Sequence, residues 1–402
     1  MNLSHRNPLV VYIAGAAFIA ALVVYLESQH ASPKPERFAP APSASALPEA
    51  GPGDAGIDSA TIRPLTCDET LAEIDRRLAL NNGDLSDKDH DELIYLPRQP
   101  LADADAGSDP ACALKIASRL IQVETCGRAA NALAVGFFGA AKTPGTLVTR
   151  VLHESHAGCA PIYSEAAGFA SDPTIELAKE LEGRAKRSGE DRPSFEAAWL
   201  SFGSLGEIAG RLERGEVVRF IEQNVRTQLQ SANDANRVLM LRAAGNAGCV
   251  SCAPFFAKAL SDSSPEIRRA GATGFRFVPT KAAVSAMCAR LEADDDLTVR
   301  DIAAWALQWR KNEDEARATC LVRAAMNDKV KSVRIQATQS LGLLAHDSNL
   351  GRAALIHLTG PEAPPEVARL ATQHVMSEGE RALQLDEREL GKYFEKNAAE
   401  GK

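Results

Sequence analysis

From about residue 262 to residue 376, apolar positions recur with a helical period set inside a longer period of 30-odd residues. An acidic residue is followed five places later by Ile or Val, and four places after that by a small residue. The four copies are Asp262/Ile267/Gly271, Asp294/Val299/Ala303, Asp328/Val333/Ala337 and Glu362/Val367/Ala371. The Ile/Val anchors stand 32, 34 and 34 residues apart, and Arg268, Arg300 and Arg334 directly follow the first three. In the third copy Val333, Ala337, Ser340 and Leu341 sit at i, i+4, i+7 and i+8, one face of a 3.6-residue period. Each copy then carries a second apolar segment, at 284–291, 318–325 and 353–358. Two helices with short turns account for the period. Such a pair cannot bury its apolar face alone, so neighbours must stack. The pattern predicts an all-α solenoid.

The repeat acid precedes the first helix, where a carboxylate can meet free N–H groups and the positive end of the helix dipole. Ser264-Pro265-Glu266 adds a capping residue, a proline at the first helical position and an early acid. Two readings of the arginines stand together: a solvated face, or a ladder pairing with the acids of the next repeat. A stripe for an anionic ligand is disfavoured by the many acids around them.

This combination, an Asp before a Val-Arg pair with Ala one turn on and a second helix behind, resembles the HEAT repeat. Two upstream stretches, 197–205 (Ala-Ala-Trp-Leu-Ser-Phe-Gly-Ser-Leu) and 241–248 (Leu-Arg-Ala-Ala-Gly-Asn-Ala-Gly), are similar to the superhelical segment of the vitellogenin N-terminal (lipovitellin-type) family. The resemblance spans about 193–376. It implies a right-handed, armadillo-like α-solenoid of HEAT-like helix pairs that binds a protein partner of unknown identity on its surface, with no cofactor and no catalysis. The lipid-enclosing sheets of the lipovitellin-type family have no counterpart here, so lipid transport does not carry over. A carrier of lipid or another hydrophobic ligand remains the alternative.

Ahead of the repeats, residues 8–26 contain no charge. As a helix these 19 residues reach about 28 Å, close to the roughly 30 Å hydrocarbon core of a bilayer. The run exceeds a signal-peptide core and lacks a good cleavage site after it, which favours an uncleaved single-pass anchor within 1–30. Arg6 and the amino terminus ahead of the span favour a cytoplasmic N-terminus with the bulk periplasmic or extracellular. Residues 31–60, with prolines at 33, 35, 40, 42, 48 and 52 among Ala, Ser and Gly, read as a disordered linker. Residues 61–192 read as irregular helical repeats, with helical patterns at 68–80, 111–123, 128–140, 145–154 and 173–187 and a polar loop around a short helix at 81–110. A separate small helical domain is the rival reading. Helices at 194–212 and 215–230 lead into the regular array of 193–378. Residues 379–402 read as a capping helix and tail.

Composition narrows the function classes. Aromatic residues make up 5% of the chain and the net charge is −8. The first suits close-packed helix pairs. The second disfavours nucleic acid as a main partner, since phosphate binding needs clustered Lys and Arg.

The eight cysteines are even in number, which permits disulfides outside the cytoplasm. Cys67, Cys112, Cys126 and Cys159 fall near predicted helix ends, where one or two staples are expected without a deducible pairing. Cys288 and Cys320 each lie 21 residues past their anchors, where Ala354 stands in the next copy. Equivalent points on neighbouring helices are about 8–10 Å apart, so these two are expected as core thiols. Cys249-Val250-Ser251-Cys252 follows Gly245-Asn246-Ala247-Gly248. A local disulfide, free thiols and a thiol–disulfide activity are all open, although the helical context is wrong for a thioredoxin-like motif. His153 and His156 sit where Gly158 and Pro161 interrupt the helix, and are expected as exposed helix-end histidines rather than zinc ligands. The acidic run 87–92 lacks the glycine and glutamate of a calcium loop. No nucleophile elbow, phosphate loop or dinucleotide fingerprint is present. No catalytic, cofactor or metal residue is therefore assigned.

Overall fold

Each of the predicted helical segments within the described residues forms a helix, and two of the longer gaps between them hold further helices. The computed structural model describes residues 65–80, 87–102, 110–124, 126–188, 191–278, 280–309 and 314–377. These all lie in the second of two units into which the chain divides, Arg63–Lys402. The proposed anchor 8–26, the linker 31–60 and the capping helix at 379–402 lie outside the described residues. Among the described residues no helix is long and apolar enough to cross a membrane.

In chain order the helices are α1 (Cys67–Leu80), α2 (Asp87–Tyr95), α3 (Gln99–Ala102), α4 (Pro110–Ile121), α5 (Arg128–Phe138), α6 (Gly145–Glu154), α7 (Ala160–Ala167), α8 (Ile175–Arg187), α9 (Arg192–Arg211) and α10 (Gly215–Ser231). The array continues with α11 (Asp234–Asn246), α12 (Ala253–Leu260), α13 (Pro265–Phe275), α14 (Lys281–Ala293), α15 (Leu297–Leu307), α16 (Asp314–Asn327), α17 (Lys331–Asp347), α18 (Asn349–Leu358) and α19 (Pro365–Ser377). Short 3-10 turns at Leu96–Arg98, Ala157–Cys159 and Val250–Cys252 join some of them, and no strand occurs among the described residues.

The helices stack in two layers. In one, α5, α7, α9, α11, α13, α15, α17 and α19 each pack on the next. In the other, α4, α6, α8 and α10 do so, and then α12, α14, α16 and α18. One connected core runs through both layers from Ile74 to Ala371. The anchors Val299, Val333 and Val367 and the small residues Ala303, Ala337 and Ala371 are all fully buried, which is why the sequence keeps them apolar and small. Small residues matter where helices cross: a Cβ on Gly245 would lie 2.6 Å from the Cα of Gly274. Only hydrogen at that position lets α11 and α13 approach so closely.

Four features differ from the sequence reading. In the first two copies the tightest helix hairpins close across the acidic turn, α12 on α13 and α14 on α15, rather than within the pair that begins at the acid, while in the third α17 packs closely on both α16 and α18. Segment 81–110 is helical from Asp87 to Ala102 instead of mostly loop, with Pro97 in a 3-10 turn and Pro100 in the first turn of α3, where a missing N–H costs nothing. Pro161 does not merely end a helix. It starts α7, a helix absent from the sequence reading, whose first turn again tolerates proline. Cys288 and Cys320 are not core thiols: they form a disulfide between α14 and α16, with Cα atoms 5.7 Å apart. An interaxial distance of about 8–10 Å does not forbid this, because Cα atoms stand about 2.3 Å off each axis and facing ones come within disulfide reach.

Candidate functional site

The arginines after the repeat anchors are turned inward along the edge that carries the acidic turns. Arg268 donates from Nε to Asp294 Oδ2 at 2.9 Å and from Nη2 to Asp294 Oδ1 at 2.8 Å and Asp295 Oδ1 at 2.7 Å. Its Nη1 also donates to the carbonyls of Asp262 (3.1 Å) and Ser263 (3.0 Å) in its own turn. Arg300 repeats the arrangement on Asp328 (2.8 and 3.2 Å) and on the carbonyl of Asp294 (2.9 Å). Arg334 repeats it on Glu366 and on the carbonyl of Asp328, at 2.8 Å in each case. Arg268 and Arg300 are buried, so this is a ladder between repeats and not a solvated face.

The acids serve the turn as well as the arginine. Asp262 accepts from the N–H of Ser264 (2.9 Å), Asp294 from Asp296 (3.1 Å) and Asp328 from Val330 (2.8 Å), the same contact to the residue two places on in three copies. The helix itself is capped by a later residue, as where Asp296 accepts from Thr298 and Val299. Burial alone raises the Asp294 carboxyl, but the Arg268 hydrogen bonds and the Asp296 N–H outweigh it and hold it below the usual carboxylate range. Two parts of the ladder escaped the sequence pattern. In the fourth copy the acid is Glu366 on α19, while Glu362 stays exposed. Upstream, Arg237 reaches Asp262 at 3.7 Å, a rung hidden because Asn236 stands where the other copies have Ile or Val. Ile267 is half-buried beside its rung. This edge is structural, with its charges spent on one another.

The Cys249–Cys252 segment forms a disulfide with Cα atoms 5.3 Å apart. Both residues are fully buried, Cys249 beneath the 3-10 turn Val250–Cys252 and Cys252 at the start of α12. A thiol that exchanges with a partner has to be reachable, and neither sulfur is. The other four candidates pair as Cys67–Cys112, joining α1 to α4, and Cys126–Cys159, joining the chain before α5 to the turn before α7. His153 and His156 are exposed, and His156 Nδ1 accepts from the N–H of Gly158 at 3.1 Å, a turn cap.

The disulfide-closed turn has a second consequence. It stands between α10 and α12, so that α10 meets the turn and the regular helix-on-helix packing of that layer is interrupted. An open-sided groove of about 490 Å³ results, lined by Arg219, Glu222, Gln223, Arg226, Thr227 and Gln230 of α10 with Ser251 opposite. Glu222 accepts from the N–H of Val250 at 3.3 Å and so ties the turn to the helix. No single residue in the sequence signals this groove, which arises from a missing helix contact.

On the other layer, Arg276 lies over the rings of Phe277 (4.5 Å) and Trp305 (5.4 Å) and donates to Asn246 Oδ1 at 2.7 Å. Trp309 packs edge-on against both Phe277 and Trp305. With its amide oxygen facing them, Gln308 accepts from the indole N–H groups of Trp305 (3.1 Å) and Trp309 (3.0 Å). Burial lowers the Arg276 guanidinium to about 10, against the pull of Glu207. The cluster is self-satisfied and locks α11, α13 and α15 together.

Comparison with known proteins bears on the repeats. No curated protein matches the chain. Among solved structures, the crystal structure of an engineered protein is similar at 14% identity and a TM-score of 0.33, over 75% of this chain and 87% of that one. Residues 223–308 match the family described as HEAT repeats, and the stacked layers around them form a HEAT-like array of helices among the described residues.

Proposed function

We propose that this chain is a membrane-anchored scaffold that binds a protein partner on the surface of its helical array and carries out no catalysis itself. One observation carries the reading: two layers of helices follow one another from α4 to α19 and present long outer faces, one of which opens into a polar groove at α10. Repeat arrays of this kind use such extended surfaces for recognition. The groove is lined by charged and amide side chains whose stems are apolar but whose ends can hydrogen-bond, which speaks for a protein segment over a lipid chain and keeps a hydrophobic-ligand carrier in second place. Burial of Cys249 and Cys252 speaks against thiol–disulfide activity.

The chemistry of the N-terminal segment and of the cysteines supports the proposed placement. Residues 8–26 have the length and apolarity of a single span, with 31–60 as a stalk. All eight cysteines fall into four disulfides, a state that persists outside the reducing cytoplasm and so supports an outward-facing array. Residues 193–376 keep the likeness to the vitellogenin superhelical segment as part of this proposal. Crosslinking in intact membranes tests the scaffold: a specific protein should be captured through residues of the array, and an array that captures none overturns the reading. Protease treatment of intact cells tests the orientation, because the bulk of the chain should be removed.

A further inference from the structure

We propose that the groove between α10 and the Val250–Cys252 turn is the docking site for an acidic, carboxylate-bearing segment of the protein partner, an inference that rests on the scaffold reading. Arg219, Gln223, Arg226 and Gln230 follow one another at spacings of four, three and four, one stripe along α10. All four are exposed. Along a helix this stripe reaches about 16 Å, long enough for four or five residues of extended chain.

Most other surface arginines of the array are paired, Arg369 on α19 being an exposed exception. Arg119 is paired with Asp75, Arg150 with Glu154, Arg187 with Glu180, Arg211 with Glu207 and Arg323 with Glu292. Arg219 and Arg226 have no acid or other polar partner among the described residues, although the chain as a whole carries eight more negative charges than positive. The single acid in the groove, Glu222, is engaged by the Val250 N–H. Two guanidinium groups are thus left as paired forks suited to carboxylates. The Gln223 and Gln230 amides each offer a donor and an acceptor, the complement of a peptide backbone. Two arginines in an acidic protein fall short of the cation density that a nucleic acid requires, which favours a polypeptide.

The test uses the full-length chain in detergent at low salt and a fluorescein-labelled decapeptide rich in Glu, read by anisotropy. A Lys-rich decapeptide, a neutral one and a single-stranded oligonucleotide of equal negative charge serve as comparisons. The acidic peptide should bind, salt should weaken it, and Arg219→Gln/Arg226→Gln should lower affinity by about tenfold or more while Arg323→Gln changes it little. Arg219→Glu/Arg226→Glu should transfer preference to the Lys-rich peptide. Because both arginines are exposed and unpaired, unchanged thermal denaturation of these variants separates lost binding from lost folding. Failure of the wild-type chain to bind the acidic peptide, undiminished binding by the double Gln variant, or tighter binding of the oligonucleotide would each overturn the proposal. A partner crosslinked equally well to the double Gln variant would remove this groove while leaving the scaffold reading intact, whereas no crosslinked partner at all would remove both.

Discussion

Arg300 and Asp328 form a two-pronged ion pair between consecutive repeats, with Nε to Oδ2 at 2.8 Å and Nη2 to Oδ1 at 3.2 Å, and both side chains more than nine-tenths buried. A pair this far from water gains its attraction at the cost of desolvating two charges, so its net contribution is smaller than its geometry suggests. Removing one member is a different matter. Arg300→Met leaves Asp328 buried and uncompensated, and urea denaturation should show a loss of about 3–5 kcal/mol. Replacing both, Arg300→Met with Asp328→Leu, should recover most of it. A double variant as unstable as the single would mean that the pair itself supplies the stability.

Asp301, next along α15, predicts a dependence of stability on pH. Burial raises its carboxyl to about 6, and the negative charge of Asp328 adds to the rise. In the unfolded chain the group ionises near 4. Between about pH 4 and 6 the folded state therefore holds a proton that the unfolded state has lost, and stability falls as pH rises through that window. Above it the penalty is constant. Asp301→Asn should stabilise the array by about 1–3 kcal/mol at pH 7 and by little at pH 4. Thermal denaturation at the two pH values checks this, and an equal effect at both would assign the change to packing.

Two glycine substitutions should have opposite signs. Gly245→Ala inserts a methyl group against the backbone of Gly274, with no flexible side chain to yield, and should cost about 1–3 kcal/mol. Gly210, in the last turn of α9, has nothing within 4 Å of an added Cβ. Gly210→Ala should be neutral or stabilising by up to about 1 kcal/mol. Chemical denaturation of the two variants side by side decides between close approach and simple helix propensity as the reason for these glycines.

The Cys288–Cys320 disulfide ties α14 to α16 across a separation of 32 residues. Cys288→Ala with Cys320→Ala should lower stability by about 2–4 kcal/mol. Peptide mapping without reductant should recover these two cysteines linked. Recovery of both as free thiols would contradict the fold at this point.

The repeat was legible because its constraints are local: Val299, Val333 and Val367 must be buried, and the spacing to Ala303, Ala337 and Ala371 is one helical turn. What escaped depends on distances that no periodicity encodes. Glu366 replaces Glu362 as the last acid because it sits in the first turn of α19, facing Arg334. The Arg237 rung was hidden by Asn236. The pairing of Cys288 with Cys320 turns on whether the two Cα atoms face each other, and an axis-to-axis spacing misjudged it. The groove is a property of the break between α10 and α12, visible only once the contacts are known.

The ladder also bears on how such an array can grow. Each ladder arginine draws its acid from the unit that follows, the turn aspartate in three cases and Glu366 of α19 in the fourth. Inserting one whole copy therefore supplies a new donor and a new acceptor together and strands neither, whereas a cut between Arg300 and Asp328 strands both. Gene duplication in steps of a full period is electrostatically silent here, and any other step is not.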